Sequence, residues 1–120
     1  MKIDRIKELL DAKVICGEEL LDSCVYSACG SDMMSDVLAY VKDQAVLLTG
    51  LVNSQVIRTA EMMDMRCIVF VRSKMPNEEM IELAKDSGLV LLATAKRMYE
   101  ACGILYTNGL RADDSKCATL

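Results

Sequence analysis

The chain has 120 residues, a formal charge of −4, 52% apolar and 27% charged side chains, which is enough for one self-supporting core and too apolar for a disordered segment. It contains no histidine, so imidazole base catalysis, the Ser-His-Asp and Cys-His nucleophile systems and every His-bearing metal site are excluded. With 14 Lys and Arg against 18 Asp and Glu, and only four Tyr and one Phe, it lacks the clustered cations and stacking rings of a nucleic-acid groove.

Met1-Lys2-Ile3-Asp4-Arg5 leads into a charged amphipathic stretch, and no apolar run approaches ~18 residues. The expectation is a cytoplasmic protein without a membrane span. Ile3, Ile6, Leu9 and Leu10 share one helical face, so residues 2–10 are predicted helical. Val14-Ile15-Cys16 reads as a short strand ended by Gly17, and residues 18–24 are ambiguous. Residues 25–29 read as a strand closed by Gly30. Ser31 or Asp32 then caps a helix whose apolar face is Met33, Met34, Val37, Leu38 and Val41.

From Ala45 onward the pattern is regular. Residues 45–49, 67–71 and 89–93 are continuous apolar runs, the mark of strands buried on both faces. Between them, Asn53 caps a helix bearing Val56, Ile57, Ala60 and Met63, and Asn77 caps one bearing Met80, Ile81 and Ala84, which ends at Gly88. Thr94 opens a last helix, ended near Gly109. Strand–helix units of roughly 22 residues with right-handed crossovers give an α/β fold, a mainly parallel sheet with helices packed on it. The domain is expected over residues 1–110, with 111–120 a flexible polar tail.

The six cysteines contain no C-x-x-C and mostly sit in apolar stretches, where thiols act as small buried hydrophobes. Neither a disulfide framework nor a metal site is expected. Cys117-Ala118-Thr119-Leu120 formally fits a prenylation box, a four-residue match that arises often by chance. Nine methionines fit core filling, with an adaptable partner surface as the sharper alternative. The last helix favours that alternative, because Met98, Tyr99, Ala101, Cys102, Ile104 and Leu105 are apolar on more than one face. A homodimer or a docked domain would cover it.

In open α/β sheets ligands bind beyond the carboxyl ends of the strands. Here those ends carry Thr49, Gly50 and Asn53, then Arg72 and Lys74, then Thr94 and Lys96. Each feeds a helix N-terminus that favours an anion, and Arg58 lies one turn into its helix. The candidate binding residues are therefore Thr49, Gly50, Asn53, Arg58, Arg72 and Thr94, and the ligand class is a small phosphate-bearing molecule. The same residues also serve as ordinary turn and cap residues in any such fold. No Walker lysine motif or G-x-G-x-x-G occurs. Ser31-Asp32 has no base beside it, and Glu61, Asp64, Glu78, Glu79 and Glu82 fall on polar helix faces, so no general acid–base pair emerges. No catalytic residue, cofactor or metal is expected.

The stretches 28–38, 48–61 and 68–72, among them Leu48-Thr49-Gly50-Leu51-Val52-Asn53-Ser54-Gln55-Val56-Ile57-Arg58 and Ile68-Val69-Phe70-Val71-Arg72, resemble the DRTGG-domain family, close to its stand-alone members in anaerobic bacteria. The likeness extends to about Leu110. The literal string Asp-Arg-Thr-Gly-Gly is absent, and the Thr49-Gly50 and Val71–Lys74 turns stand at the strand ends where signature residues would be expected. The resemblance implies a fold like the N-terminal domain of HPr kinase/phosphorylase. It also implies a regulatory or dimer-forming role without an active site, as in regulated pyrophosphatases beside CBS domains and in some phosphotransacetylases. The leading reading is a non-enzymatic, homodimeric regulatory domain that binds an adenine nucleotide or another phosphate ligand. The alternative is an interaction module docked on a larger enzyme, a hydrogenase-associated one being suggested by the resemblance. A phosphotransfer or hydrolytic enzyme using carboxylates, Lys and a metal is the third.

Overall fold

The computed structural model describes residues 1–40 and 44–112. Val41, Cys117 and residues 113–120 of the expected tail lie outside these. The elements run α1 (Ile3–Leu10), β1 (Lys13–Cys16), a 3-10 turn (Glu18–Leu20), β2 (Ser27–Gly30), α2 (Met34–Tyr40), β3 (Ala45–Thr49), α3 (Ser54–Met62), β4 (Cys67–Phe70), α4 (Glu78–Ser87), β5 (Val90–Ala93) and α5 (Met98–Thr107). The sheet order is β1-β5-β4-β3-β2. β2, β3, β4 and β5 are parallel, and β1 closes the far edge antiparallel to β5.

Every residue of β3, β4 and β5 is buried, because both faces of the sheet are covered. Leu47, Ile68, Phe70 and Leu91 point to the layer of α2, α3 and α4. Val46, Leu48, Val69 and Leu92 point to the layer of α1 and α5. The period of two along each strand thus fills two cores at once. Local chemistry sets the helix ends. Asn53 and Asn77 accept the amides of Val56 and Met80 at 3.3 and 2.9 Å, and Gly88 takes the left-handed C-cap with φ 70°.

Four expectations are corrected. Val25 and Tyr26 precede β2, and the Val25 N–H bonds to the Met1 carbonyl, which seats Val25 beneath α1. Met33 and Leu38 face outward, because α2 turns Met34 and Val37 to the core. Asp32 caps no helix, since its carboxylate is taken by the end of β3. Thr94 does not open α5, whose N-cap is Arg97, without a side-chain bond.

Candidate functional site

The parallel pairing of β2 with β3 sets Gly30 opposite Leu48. The chain leaving β2 therefore runs beside the chain leaving β3. One Asp32 oxygen accepts the Thr49 hydroxyl at 3.0 Å and the Gly50 N–H at 2.7 Å. The other lies 3.7 Å from the Arg72 guanidinium, which arrives from the end of β4. Thr49 is fully buried, and its hydroxyl also accepts the Leu51 N–H at 3.1 Å. The Gly50 amide, the Thr49 hydroxyl and the Arg72 charge together hold the Asp32 carboxyl below the usual aspartate range, against a smaller push upward from partial burial.

Arg72 and Ser73 both have left-handed backbones, φ 59°, an uncommon pair for residues with a Cβ. The loop after β5 holds them there. The Arg72 N–H donates to the Lys96 carbonyl at 2.8 Å and the Ser73 N–H to the Thr94 carbonyl at 2.9 Å. The strain is thus supported across two adjacent strand ends, as at over-determined sites. Lys74 and Arg97 add exposed positive charge to the same rim.

The structure brings Thr49, Gly50 and Arg72 together, with Asp32 as the hub. It does not bring in the other candidates. The Asn53 Oδ1 is taken by the α3 cap. The Thr94 hydroxyl turns inward and donates to the Leu10 carbonyl at 2.7 Å, clipping β5 to the end of α1. Arg58 is exposed on the α3 stripe of Ser54 and Glu61, both of which bond to α4. Asp32 lies 17 residues from Thr49, so no local pattern marks the pair. Only the β2–β3 register would have revealed it.

A broad open depression of about 550 Å³ lies elsewhere, along the outer side of α5 between Tyr99 and Thr107. Among the described residues no group of three or more acidic or thiol side chains is placed to hold a metal. No helix among the described residues is long and apolar enough to cross a membrane.

The family model of the DRTGG domain matches residues 5–114. The chain belongs to the DRTGG-domain family. Among solved structures, this DRTGG domain is similar to the CBS and DRTGG domains of the regulatory region of Clostridium perfringens pyrophosphatase, complexed with the activator diadenosine tetraphosphate. The TM-score is 0.69 at 15% identity, over 87% of this chain and 45% of that one. The DRTGG domain thus spans about half the length of that regulatory region, and the likeness establishes the fold, a mostly parallel five-stranded sheet with helices. No curated protein matches the chain.

Proposed function

We propose that this DRTGG domain is a non-enzymatic regulatory module of the cytoplasm. It works as a homodimer and reads a phosphate-bearing ligand, with an adenine nucleotide the leading choice, at the ends of β3 and β4. The observation that carries this reading is the single carboxylate of Asp32 bridging two groups suited to an anion, the Gly50 amide and the Arg72 guanidinium. A phosphate oxygen has the charge and the acceptor geometry to replace that carboxylate. The likeness to a regulatory region crystallised with a dinucleotide polyphosphate activator supports the choice of ligand.

Calorimetric titration with ATP, AMP and diadenosine tetraphosphate tests it. One of the three gives a saturable isotherm, and Arg72→Ala weakens it at least about tenfold, the scale of one lost charged contact. At a hundredfold excess over Kd the same ligand raises stability by about 2.7 kcal/mol. Silence from all three at millimolar concentration overturns the ligand half of the reading.

The depression on α5 favours a second reading, a module that docks on a larger enzyme and takes no small molecule. Its signature is a stoichiometric complex with one partner, together with a blank titration.

A further inference from the structure

We infer that α5 is the seam of the homodimer, with two copies of the helix packed antiparallel about Gly103. The inference rests on the homodimer proposed above and adds which surface makes it and in what orientation.

Residue spacing defines the face. Ala101 and Leu105 point into the core and are buried. At 100° per residue the opposite side of the helix is centred on Gly103, with Tyr99 and Tyr106 beside it. Tyr99 is 93% exposed and Tyr106 56%, the area of apolar ring that association removes from water. A second depression, between α5 and the β2 edge, shares Cys102 and Tyr106 with the first and reaches Gly30 and Arg111. The apolar surface is therefore continuous across the helix.

Gly103 sits within the helix, without a left-handed backbone, and a Cβ there would meet none of the described residues within 4 Å. Nothing among the described residues calls for glycine at this position, and glycine weakens a helix interior. A second backbone passing close over it supplies the reason. The residue best placed to pass over the centre of a self-matching face is its own copy.

The face matches itself under a two-fold rotation about Gly103. Tyr99 comes beside the partner's Tyr106, and Glu100 beside the partner's Thr107. The first contact forms an aromatic pair twice over. The Arg111 guanidinium already lies 3.9 Å over the Tyr106 ring, so each pair carries a stacked cation. The second offers each carboxylate a hydroxyl. Glu100 and Arg111 cancel, so two chains of charge −4 meet on a neutral patch. A strongly acidic or basic partner would find no opposing field there. Antiparallel pairing also sets the helix dipoles head to tail. The face of one helix is smaller than the roughly 800 Å² per partner of a standard interface. The dimer is accordingly weak, and salt strengthens it by screening the remaining repulsion.

Sedimentation of the full chain at about 10 to 200 µM, the range of a weak association, gives the test. The wild type is dimeric at the upper end. Gly103→Lys is monomeric with undiminished helicity by circular dichroism, since the site has room for a side chain. Gly103→Cys in a Cys102→Ser background, treated with diamide, yields a 103–103 disulfide that peptide mapping identifies. A dimer that survives Gly103→Lys and gives no 103–103 link overturns the seam and leaves the homodimer standing. A wild type that stays monomeric throughout overturns both.

Discussion

The guanidinium of Arg72 lies over the bare α-carbon of Gly50, so that a Cβ built there would stand 2.7 Å from Arg72 Cζ. Gly50 has an ordinary negative φ, and its role is to leave room for that side chain. The obstacle is the far end of a flexible residue, which can swing away. Gly50→Ala is therefore expected to change stability by less than about 0.5 kcal/mol, the usual range for a relaxed surface substitution. It nevertheless displaces Arg72 from Asp32. Urea unfolding with a carboxyl NMR titration separates the two effects. A loss above about 2 kcal/mol would mean that Arg72 cannot move.

Asp32 predicts a pH dependence. Its folded pKa lies below the ordinary aspartate value of 3.8, first through the Gly50 N–H, then through the Thr49 hydroxyl and the Arg72 charge. Such a group binds its proton more weakly in the folded chain than in the unfolded one. Its contribution is present above about pH 4 and is lost as pH falls through the folded pKa. The side chains of the pair are 44% and 43% exposed, so solvent screening limits the effect to about 1 kcal/mol or less. Asp32→Asn keeps an acceptor for the Gly50 amide and flattens that acid limb. Asp32→Ala orphans the amide and the buried Thr49 hydroxyl, and is expected to lower stability by about 1–3 kcal/mol at pH 7. Equal effects from the two variants would argue against the hydrogen-bonded hub.

The parts of the fold legible in the sequence are those set by neighbours within a few residues. The apolar runs of β3, β4 and β5, the Asn53 and Asn77 caps and the Gly88 stop each follow from local burial or backbone chemistry. What was not legible depends on distant pairing. Asp32 has a cap-like sequence context, yet Thr49 and Gly50 capture it because β2 and β3 run parallel with Gly30 opposite Leu48. Thr94 stands where a cap would stand, yet the end of α1 passes beneath it and offers the Leu10 carbonyl. Met33 and Leu38 fit a helical stripe, yet both are exposed while Met34 and Val37 reach the core. Of the candidate ligand residues, three meet at the strand ends. The other three serve caps, clips or a helix surface.

Asn53 supplies a control for any ligand experiment. Its side chain accepts the Val56 N–H, so Asn53→Ala removes an N-cap and lowers stability by about 1 kcal/mol. The effect should appear without ligand and be restored by Asn53→Asp or Asn53→Ser. A variant with unchanged stability but lost nucleotide binding would return Asn53 to the site.

The thiols divide by depth. Burial pushes the Cys67 thiol far up and raises Cys16, Cys29 and Cys102 as well, with the neighbouring Cys102 adding to the rise at Cys29. Alkylation proceeds through the thiolate. Native-state labelling with iodoacetamide at pH 8 should therefore leave Cys67 and Cys16 unmodified and label Cys29 and Cys102 more slowly than a free thiol. Mass spectrometry of the labelled peptides reads the order. Rapid modification of Cys67 in the folded chain would contradict its place between the sheet and the α1–α5 layer.

Thr94 closes the opposite end of the rim. Its buried hydroxyl donates to the Leu10 carbonyl at 2.7 Å and accepts the Lys96 N–H at 3.2 Å. The Thr94 carbonyl also receives the Ser73 amide beside left-handed Arg72. One residue thus ties α1, the loop after β5 and the strained loop after β4 together. Thr94→Val keeps the shape and deletes the hydroxyl. It leaves the Leu10 carbonyl and the Lys96 amide short of a partner, with an expected loss of about 1–3 kcal/mol. Thr94→Ser retains both hydrogen bonds and loses only a methyl group, about 1 kcal/mol by the area it buries. Hydrogen exchange at Arg72 and Ser73 adds a readout specific to the clip: in Thr94→Val these amides exchange faster than those in the middle of β4. Protection that stays uniform across β4 and its loop would show that the α1 contact does not support the Arg72 turn.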